Sequence, residues 1–263
     1  MNRGLKRRFD LLEVVLIAAL VGIVVWAVEH TRPRMPSLMV NEEEAEFASK
    51  YGPARNSERG EEWLIRDFFG DRRGGVFVDV GANDYKRFNN TYYLDTVLGW
   101  SGIAIEPQRE FEAGYTANRP RTKFRPFFVS DQSNTEAKMY MIANSLPTSG
   151  DKNFTARFGK DVKEVTVPTI TLNDLLDTEH VTSIDFMSMD IELWEPKALA
   201  GFDVERFRPQ LVCVEAHPEV RQEILDYFAR HHYVVVGKYL RADDRNLYFT
   251  PLAAPLAQAP AVR

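Results

Sequence analysis

Five segments of the chain end in acids directly after a short apolar run: Asp79-Val80-Gly81-Ala82-Asn83-Asp84, Glu106-Pro107, Ser130-Asp131, Asp190-Ile191-Glu192 and Glu215-Ala216-His217. Carboxylates at such places can accept hydrogen bonds from hydroxyls, balance a cation or take up a proton. They are poor partners for a phosphate. An acid ahead of the first glycine repels a pyrophosphate where a helix N-terminus would otherwise attract it. Neither G-x-G-x-x-G nor G-x-x-x-x-G-K-[ST] occurs in the chain. A rim of this kind suits a ligand that is cationic and carries a ribose. Glu106 follows Asp79 by 27 residues, close to the offset at which an acid takes ribose hydroxyls in other doubly wound folds.

Other chemistries are disfavoured by composition. The 263 residues carry a net charge of −5, so there is no basic footprint for nucleic acid. The single cysteine, Cys213, excludes an intramolecular disulfide framework and a Cys-based zinc site, and reads as an inert core residue. The five histidines form no metal-ligand motif, so no metal is expected.

The elements that would carry these acids alternate between strand and helix. Val76–Val80, Gly102–Ile105, Lys123–Val129, Ile184–Met189 and Leu211–Val214 read as strands, with Pro126 placing the third at a sheet edge. Helices are expected at Trp63–Phe69, after an Asn90 cap, at 108–118, around Leu172–Leu176, from Pro196 to Gly201 and at 218–230. Lys138–Ala143 and Val162–Val167 have β character and flank a polar loop. Tyr233–Gly237 and Arg245–Thr250 read as a closing hairpin. The expected architecture is α/β, with a doubly wound, mostly parallel sheet. Ligands of such a sheet bind beyond the carboxyl ends of its strands, where all five acidic segments fall.

VFVDVGAND, NNTYYLDTVLGWSGIAIEP, VPTITLNDLL, IDFMSMDIELWEPKALAGFD and LVCVEAH, in that order, resemble the FkbM-type S-adenosylmethionine-dependent methyltransferases. The resemblance spans about residues 63–250. It implies a class I methyltransferase (Rossmann-like) fold with a seven-stranded sheet, its last strand reversed. It also implies S-adenosylmethionine as cofactor, whose sulfonium, ribose and adenine match the acidic rim. O-methylation of a sugar or small natural product is the implied activity. Two positions depart from the family pattern. Asp84-Tyr85 replace a small apolar residue and glycine, and Ser188 and Leu193 replace the lysine and glycine of K-x-D-x-E-G.

The expected cofactor ligands are Asp79, Gly81, Asn83, Glu106 and, near the adenine, Asp131. The expected catalytic residues are Asp190, Glu192 and His217, with Asp190 or His217 taking the acceptor's proton. His217 directly precedes Pro218 at a helix start, so a structural role is equally open. Asp190, Glu192 and Glu215 could instead hold a divalent cation that acidifies the acceptor hydroxyl. Trp100 and Trp194 could wall the pocket, with core packing the favoured expectation. Two other readings are a nucleotide-sugar-dependent transferase and a non-catalytic membrane adaptor.

The amino terminus sets the remaining expectations. Residues 11–28, LLEVVLIAALVGIVVWAV, hold one charge, and 18 helical residues span about 27 Å, close to one hydrocarbon core. The expected organisation is therefore a basic flank at 1–10, a transmembrane anchor at 11–28, a linker at 29–60 with a short helix around Glu42–Lys50, the methyltransferase domain at 61–250 and a disordered tail at 251–263. Four basic residues before the span against two after it favour an exported body. The need for a donor made in the cytosol favours the opposite. The expectation is a single-pass membrane protein whose catalytic domain faces the cytoplasm and acts on a small-molecule or glycan acceptor.

Overall fold

The computed structural model describes residues 42–142 and 148–252. All but Glu42 belong to one compact unit, Glu43–Arg263. In chain order the elements are α1 (Glu42–Tyr51), α2 (Glu61–Phe69), β1 (Val76–Val80), α3 (Tyr92–Thr96), β2 (Ser101–Ile105), α4 (Glu112–Asn118), β3 (Thr122–Arg125), β4 (Phe128–Val129) and β5 (Glu136–Ile142). They continue with α5 (Lys152–Thr155), β6 (Val162–Ile170), α6 (Leu172–Thr178), β7 (Phe186–Met189), α7 (Glu195–Ala200), α8 (Val204–Phe207), β8 (Leu211–Glu215), α9 (Arg221–Arg230), β9 (Tyr233–Val235) and β10 (Asn246–Pro251).

The main sheet has seven strands in the order β3-β2-β1-β7-β8-β10-β9. From β3 through β8 every pairing is parallel, whereas β10 runs antiparallel to both β8 and β9. The reversed final strand is thus present. Both faces are covered, which is why these strands read as continuous apolar runs. Successive residues point to opposite faces. Val78, Val80, Met187, Met189, Val212 and Val214 pack with residues of α6, α7 and α9, among them Leu175, Leu199 and Phe228. Phe77, Phe186, Leu211 and Cys213 pack on the other face with Leu64, Ile65, Leu94 and Trp100.

The expected third strand is divided. β3 ends at Arg125, the last residue paired with β2. Pro126 has no N–H to continue a ladder. Beyond it, β4 leaves the main sheet and pairs parallel with β6, which pairs antiparallel with β5. This second, three-stranded sheet carries Phe127 and Phe128 over the strand ends. Asn90 is not the cap of α3. Thr91 stands at that position, and neither side chain caps the helix.

The helix expected around Glu42–Lys50 is α1. Its end is tied to α2 through Lys50 Nζ and Tyr51 Oη, which donate to Asp67 Oδ1 at 2.8 and 3.2 Å. The expectation of a single-pass membrane protein is corrected. Among the described residues no helix is long and apolar enough to cross a membrane. The 11–28 segment on which that expectation rested lies outside the described residues, as do the basic flank and 253–263 of the tail.

Candidate active site

The order of the main sheet reverses at β1, which has β2 on one side and β7 on the other. Beyond the carboxyl ends of these strands lies a cleft of about 930 Å³, counting its mouth open to solvent. Gly81 and Asn83 line it from β1, Glu106 and Pro107 from β2, and Asp190 and Glu192 from β7. Phe127 and Phe128 form an apolar wall, and Trp194 joins them from the start of α7.

Glu106 is buried, yet its carboxylate borders the cleft. Oε2 accepts from Asn83 N at 3.3 Å, and Oε1 accepts from Gln108 N at 3.0 Å. Burial pushes its pKa up to about 7, against these stabilising amides. Fixed from behind, the carboxylate keeps lone pairs for two hydroxyls of a ligand. Gly81 is required by its φ of +81° and by its neighbour, since a Cβ there would stand 1.9 Å from the carbonyl oxygen of Asp190. The glycine thus presses the loop after β1 onto the loop after β7.

Asp79 does not line the cleft. It is buried within a polar network, where Oδ2 accepts from Thr91 Oγ1 at 2.8 Å and from Asn89 Nδ2 at 3.4 Å. Arg119 Nη2 donates to Thr91 Oγ1, and Arg119 Nη1 donates to Asn89 Oδ1, both at 3.1 Å. Arg119 Nε pairs at 2.9 Å with Asp95, and both side chains are 0% exposed. Burial still raises Asp79 to a pKa of about 6. Asp131 also lies off the cleft. It borders a separate depression and pairs with Lys197 at 3.1 Å, so the aromatic pair before it, and not its carboxylate, faces the ligand space.

Asp190, Glu192 and His217 are brought together. His217 Nε2 lies 3.2 Å from Glu192 Oε2 and 3.0 Å from Glu215 Oε2. These two carboxylates push its pKa up to about 10. Asp190 is enclosed by protein atoms but open to the water of the cleft. That enclosure, then the charges of Glu215 and Glu192, hold it well above the usual carboxylate range. Glu195 completes the cluster. It is fully buried, with Oε1 accepting from Ile191 N at 3.0 Å and Oε2 without a partner. Burial pushes its pKa up to about 8.

The backbone here is strained. Glu192 and Leu193 have φ of +56° and +74°, a region that costs a branched side chain of order 1–3 kcal/mol. Ser149 Oγ donates to the Glu192 carbonyl and helps to hold it. Leu193 stands where the family pattern has glycine, so the departure in sequence keeps a glycine-like conformation. A second cleft, lined by Glu192, Glu215, His217, Arg221 and Arg245, adjoins the first. Glu58 and Glu192 line both.

Sequence reasoning missed Phe127, Phe128 and Glu195, whereas Trp194, for which a pocket wall was the alternative to core packing, stands on the cleft. Pro126 was the available signal for the aromatic pair, because a proline that ends a strand frees the next residues to turn over the site. Glu195 gave a weaker one, as an acid three residues beyond a segment that already held two.

The model of the FkbM methyltransferase domain matches residues 79–235. The chain belongs to this family of methyltransferases, and its cofactor is S-adenosylmethionine. No curated protein matches the chain. Among solved structures, a TehB-like SAM-dependent methyltransferase from Corynebacterium glutamicum is 13% identical, with 80% of this chain and 97% of that one covered and a TM-score of 0.41. A SAM-dependent O-methyltransferase from Thermotoga maritima is 12% identical, with 82% and 72% covered and a TM-score of 0.40. An O-methyltransferase from Bacillus cereus, in complex with SAH, is 11% identical, with 87% and 94% covered and a TM-score of 0.40. Likenesses this distant carry nothing about the acceptor.

Proposed function

We propose that the chain transfers a methyl group to a hydroxyl of a sugar or small natural product, with the cofactor in the first cleft and the acceptor in the second. The observation that carries this reading is the wall common to both clefts, where Glu192 stands beside Asp190. The residues present fit the cofactor. Glu106 offers a buried carboxylate for the ribose hydroxyls, Phe127 and Phe128 offer aromatic faces for the purine, and Asn83 and Gly81 line the floor. Trp194 Nε1 is buried without a partner and is a further donor beside the cleft. When bound, S-adenosylmethionine supplies a methyl group on a sulfonium, activated for in-line displacement by oxygen.

The protein's part is then to orient the acceptor and to take its proton. Asp190 is the proton acceptor in this reading. His217 Nε2 is already committed to the carboxylates of Glu192 and Glu215. Asp79 acts from behind, through Thr91 and Asn89, by fixing the loop that carries Gly81 and Asn83. Asp131 has no role in it.

Calorimetry of the full chain with S-adenosylmethionine and with its demethylated product tests the cofactor site. Micromolar binding is expected. Glu106→Ala removes two charge-assisted hydrogen bonds and is expected to cost about 2–4 kcal/mol of affinity. Unchanged affinity in that variant would overturn the ribose assignment. A mass gain of one methyl group on hydroxylated acceptors, absent in Asp190→Asn while its cofactor affinity stays within several-fold, tests the rest.

A further inference from the structure

We propose that Glu192, Glu215 and His217 form a divalent-cation site whose open positions face the second cleft and take oxygen ligands from the acceptor. The three donor atoms, two carboxylate oxygens and one imidazole nitrogen, lie within 4.8 Å of one another. His217 Nε2 has one oxygen at 3.0 Å and another at 3.2 Å. A ring nitrogen carries a single hydrogen or a single lone pair, so it can satisfy only one of them. The contact with Glu192 Oε2 has the geometry of a hydrogen bond.

Glu215 Oε2 is therefore left over. It is buried, it has no hydrogen-bond partner, and it points at the imidazole nitrogen. Glu215 as a whole is 6% exposed. A buried carboxylate oxygen without a donor is rare and calls for a cation. The spacings fit one. At metal–ligand distances of about 2.1 Å, cis ligands of an octahedron stand about 3.0 Å apart.

Each ligand is fixed by the fold. Glu215 ends β8 and His217 follows it by two residues, with its ring edge against Phe154 of α5 at 5.0 Å between centroids. Glu192 is presented by the left-handed turn after β7. Two oxygens and one imidazole nitrogen suit Mn2+ better than the harder Mg2+, and three protein ligands leave positions for others. Those positions face a cleft that Arg221 and Arg245 also line. An acceptor with paired oxygens, such as a vicinal diol or a hydroxy acid, has the matching chemistry.

The test is titration of the full, metal-stripped chain with Mn2+, read by loss of the free-ion paramagnetic resonance signal. One Mn2+ per chain at micromolar affinity is expected. Glu215→Gln and His217→Ala should each weaken it at least ten-fold, with circular dichroism and Tm showing that the variants fold. Glu58→Gln, on the same cleft wall but outside the ligand set, should leave it unchanged. No binding below 1 mM, or binding that survives both ligand substitutions, would overturn the site. The titration needs no S-adenosylmethionine, so its failure is separable from failure of the methyltransferase reading, which calorimetry with the cofactor measures.

Discussion

Two groups of buried charge flank the first cleft, and they are built on opposite plans. At the loop after β1, Arg119 gives its guanidinium to Asp95, Asn89, Thr91 and the Tyr85 carbonyl, and Thr91 and Asn89 pass that support to Asp79. Every donor in this network has an acceptor. At the ends of β7 and β8, Glu192 and Glu215 share one imidazole, and one oxygen each of Glu195 and Glu215 has no hydrogen-bond partner. A satisfied buried network makes a scaffold, because removing any member leaves a charge unpaired. An unsatisfied one is costly to fold and is kept where a ligand, a proton or a cation will complete it. The contrast separates acids whose hydrogen bonds are all made from acids that keep an oxygen free.

The largest expected effect breaks the scaffold. Arg119→Met takes from Asp95 its one fully buried cation, leaving only Thr122 and the exposed Arg121, and should cost about 3–5 kcal/mol in urea unfolding. Glu192→Gln, measured in the same way, should cost less than about 1 kcal/mol or stabilise the chain, since it relieves like-charge crowding. If the two results were reversed, the comparison would fail. Next comes Gly81→Ala, at the point where the two regions touch. The left-handed backbone and the collision with Asp190 together should cost about 2–4 kcal/mol, and S-adenosylmethionine affinity should fall with stability. An alanine variant with native Tm and affinity would show that the loops are not locked together there.

A smaller effect sharpens the second plan through pH. Glu195 has a pKa of about 8 in the folded chain against an ordinary 4.5. Between these values the folded state holds more protons than the unfolded state, so this group's contribution to stability declines as pH rises from 4.5 to 8. Glu195→Gln keeps an oxygen for Ile191 N and removes the charge. Its Tm should exceed that of the parent at pH 8, by the equivalent of about 1–3 kcal/mol, and match it near pH 4.5. An equal shift at both pH values would show that the effect is packing and not charge. The smallest effect is that of Leu193→Gly. Relief of the positive φ should add roughly 1 kcal/mol, partly offset by glycine's greater chain entropy.

Much of this was legible in the residues. Short apolar runs placed β1, β2, β7 and β8, and the glycine after Asp79-Val80 marked the first loop. Glu106 and Asp190 both stand on the cleft, as their strand-end positions suggested. Asp79 and Asp131 occupy the same kind of position and do not. Period-2 alternation tells which residues leave a strand on the same face, but not which side chain a partner from another element will claim. Arg119 is 40 residues from Asp79, and Lys197 is 66 from Asp131. Nothing local announces either claim.

The sequence by itself determined the alternation of strands and helices, the acidic rim and the exclusion of a phosphate loop, because these follow from side-chain type and short-range spacing. Tertiary structure alone decided that β4 turns away at Pro126 to lay two phenylalanines along the cleft. It also decided that Arg119 neutralises one set of acids, while Glu192 and Glu215 share the single imidazole of His217. Burial and pairing depend on which distant segments share a volume, and that is fixed only when the sheet closes its order.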